Sequence, residues 1–298
     1  MSAAGSRLDV RQVRRAAERA ARAGADSAVL QREVERRMFE RLDYIRLQPV
    51  SVLDAGCGAG RSFALLARRF PAAALVGVDF APAALHAARG SESWLELARR
   101  LLIGSKRVYL CADFLRLPLR GASVGMVWSN LALAWAGDPL LAVREFHRVL
   151  KAGGLLMFSS YGPDTLKELR EAFAADSRTG HVHSFVDMHD LGDMLVASGF
   201  AAPVMDTETI TLTYADVAAL MRDLKTSGQT HAAQDRRRGL MGRHAWRRLL
   251  EAYESKRVHG RLPATIEVVY GHAWKGEPRV TGNWRQIVKL EMRMKIRR

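Results

Sequence analysis

The ten residues from Ser51 to Gly60, SVLDAGCGAG, constrain this chain more than any other stretch. A short apolar run, Ser51-Val52-Leu53, ends in Asp54. Glycines follow at alternate positions, Gly56, Gly58 and Gly60, with Cys57 between the first two, and a helix-like run covers 61–70. The order predicted is strand, glycine-rich turn, helix. Glycine has no Cβ and tolerates positive φ, so such a turn lets backbone approach a ligand closely. Nineteen residues beyond Gly60, Asp79 closes a second apolar run, 74–78, and is followed by Phe80. An acid at that point can hydrogen-bond the two ribose hydroxyls of a nucleotide-like cofactor.

A dinucleotide fingerprint would read G-x-G-x-x-G; this loop reads G-x-G-x-G behind an acid. It resembles motif I of class I S-adenosyl-L-methionine (SAM) methyltransferases, D-x-G-x-G-x-G. The resemblance implies SAM as cofactor. SAM offers no phosphate to a helix N-terminus. It carries a cationic sulfonium and an amino-acid end, so a carboxylate such as Asp54 beside the loop is electrostatically sensible.

The rest of the chain continues the pattern. Strands are predicted at 51–54, 75–79, 107–112, 124–129 and 155–161, alternating with helices at 61–70, 82–89 and 139–150. Alternation of this kind gives a parallel, doubly wound α/β sheet of the Rossmann-like type. Residues 1–10 are expected to be disordered. Residues 11–48 form an N-terminal helical lid interrupted at Gly24, and 91–104 form an extra helix or lid. Helices are expected at 164–176 and 187–198. The core would span 49–212 and a basic helical insertion 213–262. The last strand, 263–274, would pair with a strand at 204–212 along the sheet edge. The tail, 275–298, carries eight basic and two acidic residues.

Net charge is +15, which suits solvated helix faces or an acidic partner. A hydrophobic content of 48% fits a globular chain, and no apolar run is long enough to span a membrane. The first ten residues lack an apolar signal core. The two cysteines, Cys57 and Cys111, have no metal-binding spacing and read as buried thiols in a reducing cytoplasm. Ligands of open α/β sheets bind at the carboxyl ends of the strands. Those ends carry Asp54, Asp79, Asp113 and Ser129-Asn130 in turn. Asp113 with Phe114 suits an adenine ring; Ser129, Asn130 and Leu131 suit the methionine end and the reaction centre. His181, His183 and His189 lack helical ligand spacing, and no metal site is expected.

Further strings make a closer resemblance. W-S-N-L-A-L-A-W at 128–135, R-E-F-H-R-V-L at 144–150, G-P-D-T-L at 162–166 and Y-G-H-A-W at 270–274 resemble the malonyl-[acyl-carrier protein] O-methyltransferases of biotin synthesis. The likeness runs from about residue 10 to 275. It implies methylation of the free carboxylate of malonyl carrier protein, with that acidic carrier as partner. A carboxylate needs no general base, because it is ionised near neutral pH. An arginine should hold it, and Arg144 is the candidate. No stable nucleic-acid partner is expected. Two positions depart from the family pattern: Ala17 and Gly24 stand where rings are usual in the N-terminal segment, and Gly125 stands where an acid is usual before W-S-N. Alternatives remain open at this point. They are a SAM-dependent methyltransferase of another small acid, a quinone precursor or a nucleic acid, and an accessory or assembly factor of the same fold, with arginine hydroxylation as its chemistry.

Overall fold

The computed structural model describes residues 8–24, 28–90, 106–174, 182–236, 239 and 241–277. The segment 91–104, expected to form a helix or lid, lies outside the described residues, as do His181 and the chain beyond 277.

The strands are β1 Ser51–Ala55, β2 Ala74–Asp79, β3 Arg107–Cys111, β4 Val124–Ser129, β5 Leu150–Tyr161, β6 Phe200–Tyr214 and β7 Leu262–Lys275. They form one seven-stranded sheet in the order β3-β2-β1-β4-β5-β7-β6. The first five run parallel. Only β7 is antiparallel to its neighbours, β5 and β6. The two late strands therefore do pair at the edge, and both are longer than the sequence pattern suggests. The chain reverses its direction of travel across the sheet between β1 and β4, which opens a crevice at the carboxyl ends of those strands.

The helices are α1 Val10–Ala23, α2 Val29–Leu42, α3 Arg61–Arg69, α4 Pro82–Gly90, α5 Pro139–Val149, α6 Lys167–Ala174, α7 Met188–Ala197, α8 Val217–Thr226 and α9 Arg243–Glu254. Side chains alternate across each strand, so β1 sends Val52 to one layer and Leu53 to the other. One layer contains residues of α2, α3, α6, α8 and α9. The other contains α5 and α7, through Ala142, Val143, Phe146, Leu191 and Leu195. α1 packs outside the first layer, against α4 and α8.

Helix starts follow their caps. Asp9, Asp138, Asp187 and Asp216 each accept a backbone N–H from the first turn of α1, α5, α7 and α8. Asp9 and Leu8 thus belong to the folded body, and Leu8 forms a β-bridge with Ala233; the expectation of disorder does not hold for them. Gly24 ends α1 with φ at 80°, as the sequence indicated. The insertion is less helical than expected. Among its described residues only α8 and α9 form, and a loop beginning at Ser227 joins them. Cys57 is buried but Cys111 is exposed, because β3 is the edge strand; both thiols are free. Among the described residues no helix is long and apolar enough to cross a membrane.

The β5–β7 register sets Phe158 opposite Gly271. The ring occupies the space a side chain would take: a Cβ on Gly271 would lie 2.4 Å from the Phe158 ring and 2.9 Å from Met205 Sδ. Gly271→Ala should therefore destabilise the fold by about 1–3 kcal/mol, as overpacking does. A urea midpoint lowered at unchanged slope would show it; an unchanged midpoint would contradict the packing described.

Candidate active site

The loop after β1 is held by the end of β2. The amides of Gly56 and Cys57 donate to the Val78 carbonyl at 2.8 and 3.0 Å. The Asp79 carboxylate takes one amide with each oxygen, Gly58 N–H at 2.9 Å and Ala81 N–H at 2.8 Å. The acid expected to face a ribose thus also fixes the glycine turn, and each oxygen keeps a lone pair for a ligand. Gly56, Gly58 and Gly60 all have positive φ. A Cβ at Gly58 would meet nothing within 4 Å, so this glycine faces open space. A Cβ at Gly60 would meet Ala88 and the Tyr109 hydroxyl at 2.9 and 3.0 Å. Gly60 therefore serves helix packing and the left-handed start of α3.

Nine of the expected site residues line one cavity of about 220 Å³: Asp54, Gly56, Cys57, Gly58, Asp79, Phe80, Phe114, Asn130 and Leu131. Four others do not. Gly60 packs as described. Ser129 is fully buried and its hydroxyl donates to the Ala55 carbonyl at 3.0 Å, tying β4 to β1. Asp113 is exposed and its Oδ1 accepts from the Leu115 amide at 2.9 Å, capping a turn beside Phe114. Arg144 is exposed on α5, whose Ala142, Val143 and Phe146 bury against the opposite layer of the sheet. The structure brings Arg144 to neither cavity. The expectation that it clamps a substrate carboxylate there is corrected on that ground.

Asn130 is set by a short relay. Ser159 Oγ donates to Asn130 Oδ1 at 2.9 Å, the Leu131 amide donates to Ser159 Oγ at 2.9 Å, and Asn130 Nδ2 donates to the Gln31 carbonyl at 3.1 Å. The W-S-N-L string thereby connects β4 and β5 to α2. Gly125, which replaces the usual acid, packs on Pro49 and Ser51 and does not line the cavity. Ala17 does line it, where the family pattern has a ring.

Three acids, Glu35, Asp54 and Asp79, and two arginines, Arg32 and Arg61, line the cavity. Asp54 is 2% exposed and its Oδ2 has no hydrogen-bond partner. Burial, then the charges of Glu35 and Asp79, raises its carboxyl well above the usual range. Burial also raises Asp79, against its backbone hydrogen bonds. It pushes the Cys57 thiol up, leaving it neutral. A buried acid without a partner is costly unless a cation accompanies it. SAM fits these residues. The orphaned carboxyl suits a cationic amino-acid end, the space above Gly58 suits close backbone approach, and Phe80 and Phe114 offer apolar surface for a ring.

A second, larger cavity of about 460 Å³ adjoins the first. Gln31, Trp135, Ser227 and Gln229 line both and form the shared wall. Its surface is mostly apolar, with Leu169, Phe173, Leu224 and Ile266; its polar groups are neutral apart from Asp223, which accepts a hydrogen bond from the Tyr214 hydroxyl. His183 is buried between Trp135, stacked at 5.5 Å, and Phe185. Burial and the neighbouring His231 push its pKa down to about 4, so the ring is neutral near pH 7. Its Nδ1 has no partner, and neither has the buried Tyr161 hydroxyl. No group of His, Cys, Asp and Glu among the described residues is arranged to hold a metal.

Sequence reasoning misses Gln31, Glu35 and the Ser227-Gly228-Gln229 turn. The turn had a visible signal, a Ser-Gly pair interrupting a helical pattern. Glu35 had a weaker one, an acid inside the apolar stripe Val34-Met38-Leu42.

Sheet order, crevice and acid-lined cavity define a class I SAM-dependent methyltransferase. A family model described as a methyltransferase domain matches residues 53–158. Among solved structures, the YcgJ protein of Bacillus subtilis matches with a TM-score of 0.57 at 15% identity, over 81% of this chain and 98% of that one. Two curated relatives are called malonyl-[acyl-carrier protein] O-methyltransferase. That of Gallionella capsiferriformans is 50% identical over 97% of this chain and 98% of its own. That of Laribacter hongkongensis is 52% identical over 90% of each. The chain belongs to the malonyl-[acyl-carrier protein] O-methyltransferase family.

Gly58→Val should fill the cavity and abolish SAM binding in isothermal titration calorimetry. Asp79→Ala should weaken SAM by about 1.5–3 kcal/mol, the range for a charged hydrogen bond. Full affinity in either variant would contradict the site.

Proposed function

We propose that this protein transfers the methyl group of SAM to the free carboxylate of a malonyl group carried on acyl-carrier protein, giving the methyl ester. The observation that carries the substrate is identity of about half the residues, along almost the whole chain, with enzymes so named. The shared wall of the two cavities supports it, because it places an acyl-sized apolar chamber directly beside the cofactor cavity.

SAM, when bound, supplies a methyl group made electrophilic by a sulfonium. Asp54, Asp79 and the backbone at Gly58 would hold it, with Phe80 and Phe114 beside its ring; Asp113 caps its turn with Oδ1 and keeps Oδ2 for the adenine amine. The remaining work falls to the chain. The carboxylate of a malonyl thioester is ionised near pH 7 and is already a nucleophile, so no side chain need take a proton. The larger cavity strips water from it, and an incompletely hydrated carboxylate is more reactive. Neutral donors suit this task better than a guanidinium. Gln229 and Tyr161 can orient the carboxylate without neutralising it. Trp135 and Gln31, on the shared wall, fix the relative position of the two ligands, and alignment of reacting atoms can supply several kcal/mol of the barrier, on the order of 7 or more. The acidic carrier suits a chain of net charge +15.

Purified protein incubated with SAM and malonyl carrier protein should yield the methyl ester, read by intact-protein mass spectrometry. A silent assay with intact SAM binding would overturn the substrate. Arg144→Ala should leave SAM affinity within about twofold of the parent, because its side chain lies away from the cofactor cavity. A large loss of SAM binding in that variant would contradict the placement of α5.

A further inference from the structure

Glu35 sits where an apolar residue would be expected. It lies on α2 between Val34 and Met38 and is 6% exposed. Its carboxyl accepts a hydrogen bond from Ser62 Oγ on α3. It lines the same cavity as Asp54, whose Oδ2 has no partner. Two carboxyls from separate elements thus meet in one buried space.

We propose that Glu35 is a second acidic anchor for the amino-acid end of SAM, sharing its ammonium with Asp54. The inference rests on the reading of this cavity as the cofactor site. That end of SAM carries an ammonium and a carboxylate together. The cavity carries complements to both, the acids Asp54 and Glu35 and the guanidinium groups of Arg32 and Arg61. In the free protein two acids in one desolvated space repel, so the pair retains a proton. The ammonium displaces it.

Among the described residues the charged groups around the pair are few. Arg61, from the first turn of α3, faces Glu35 and donates to the Gly24 carbonyl at 3.0 Å. Arg32 of α2 faces Arg61. Asp79 of β2 faces Asp54, with each oxygen engaged by a backbone amide. The Cys57 thiol lies beside Asp54 and Asp79. α1 and the loops at 130–135 and 227–229 contribute only uncharged residues to the lining.

The sign follows. Burial raises both carboxyls above their ordinary values, and SAM selects the ionised pair. Affinity should therefore climb as pH rises through the raised range. The window to use is about pH 5.5 to 7, where the ligand's own amino group stays protonated. Calorimetric titration of SAM in two buffers of different ionisation enthalpy gives both the Kd and the protons released. The parent protein should bind more tightly as pH rises and should release protons. Glu35→Gln, nearly isosteric, should weaken SAM about tenfold, flatten the pH dependence and release fewer protons. Ser62→Ala withdraws the donor that favours ionised Glu35, so it should increase proton release and serves if Glu35→Gln does not fold. A Kd within twofold of the parent and unchanged proton release in Glu35→Gln would overturn the role of Glu35. A parent protein that fails to bind SAM would overturn the cofactor assignment itself.

Discussion

A carboxyl buried without a partner is the constraint on which this structure turns. Asp54 lies near the carboxyl end of β1, an interior strand of the sheet, deep between two layers, and one of its oxygens meets neither water nor donor. Folding a chain around such a group costs stability that apolar burial elsewhere must offset. The arrangement makes physical sense as preorganisation. The cavity is acidic before any ligand arrives, so a cation gains what the protein has forgone. Asp79 adds a second function to its own charge. By binding the amides of Gly58 and Ala81 it holds the glycine turn open above the crevice.

The second cavity has the opposite character. Its lining is mostly apolar, His183 is held uncharged by burial, and its one acid, Asp223, is engaged by the Tyr214 hydroxyl. A charged acid is stabilised poorly there and therefore reacts more readily. Contrast between the two chambers, one rich in charged groups and one mostly apolar, separates the tasks of gripping a cationic donor and exposing an anionic acceptor. Gln31, Trp135, Ser227 and Gln229 mark where they meet.

Much of the fold is legible in the sequence because local signals carry it. Apolar runs mark β1, β2 and β4, and the helix-like stretches between such runs mark α3, α4 and α5. The acids at the ends of β1 and β2 are legible for the same reason. What is not legible depends on distance along the chain. The shared wall joins residues near position 30 to residues near 229, and no local pattern announces that meeting. Periodicity places Arg144 on a helix but not on a face directed at the site, and the helix proves to turn it outward on the far layer. Gly60 belongs to the motif by spacing yet serves the packing of Ala88 and Tyr109. The Asp113 carboxylate follows the strand-end rule, but its hydrogen bond is to its own turn.

Two adjoining chambers with assigned occupants underlie the proposed chemistry. A crystal structure with S-adenosylhomocysteine and malonyl-pantetheine tests that most directly. It should show the amino-acid end of the nucleoside against Asp54 and the Gly58 backbone, with the malonyl group beyond Trp135 among Tyr161, His183 and Gln229. Density for the acyl group on the outer face of α5, or for the nucleoside away from Asp54, would contradict it.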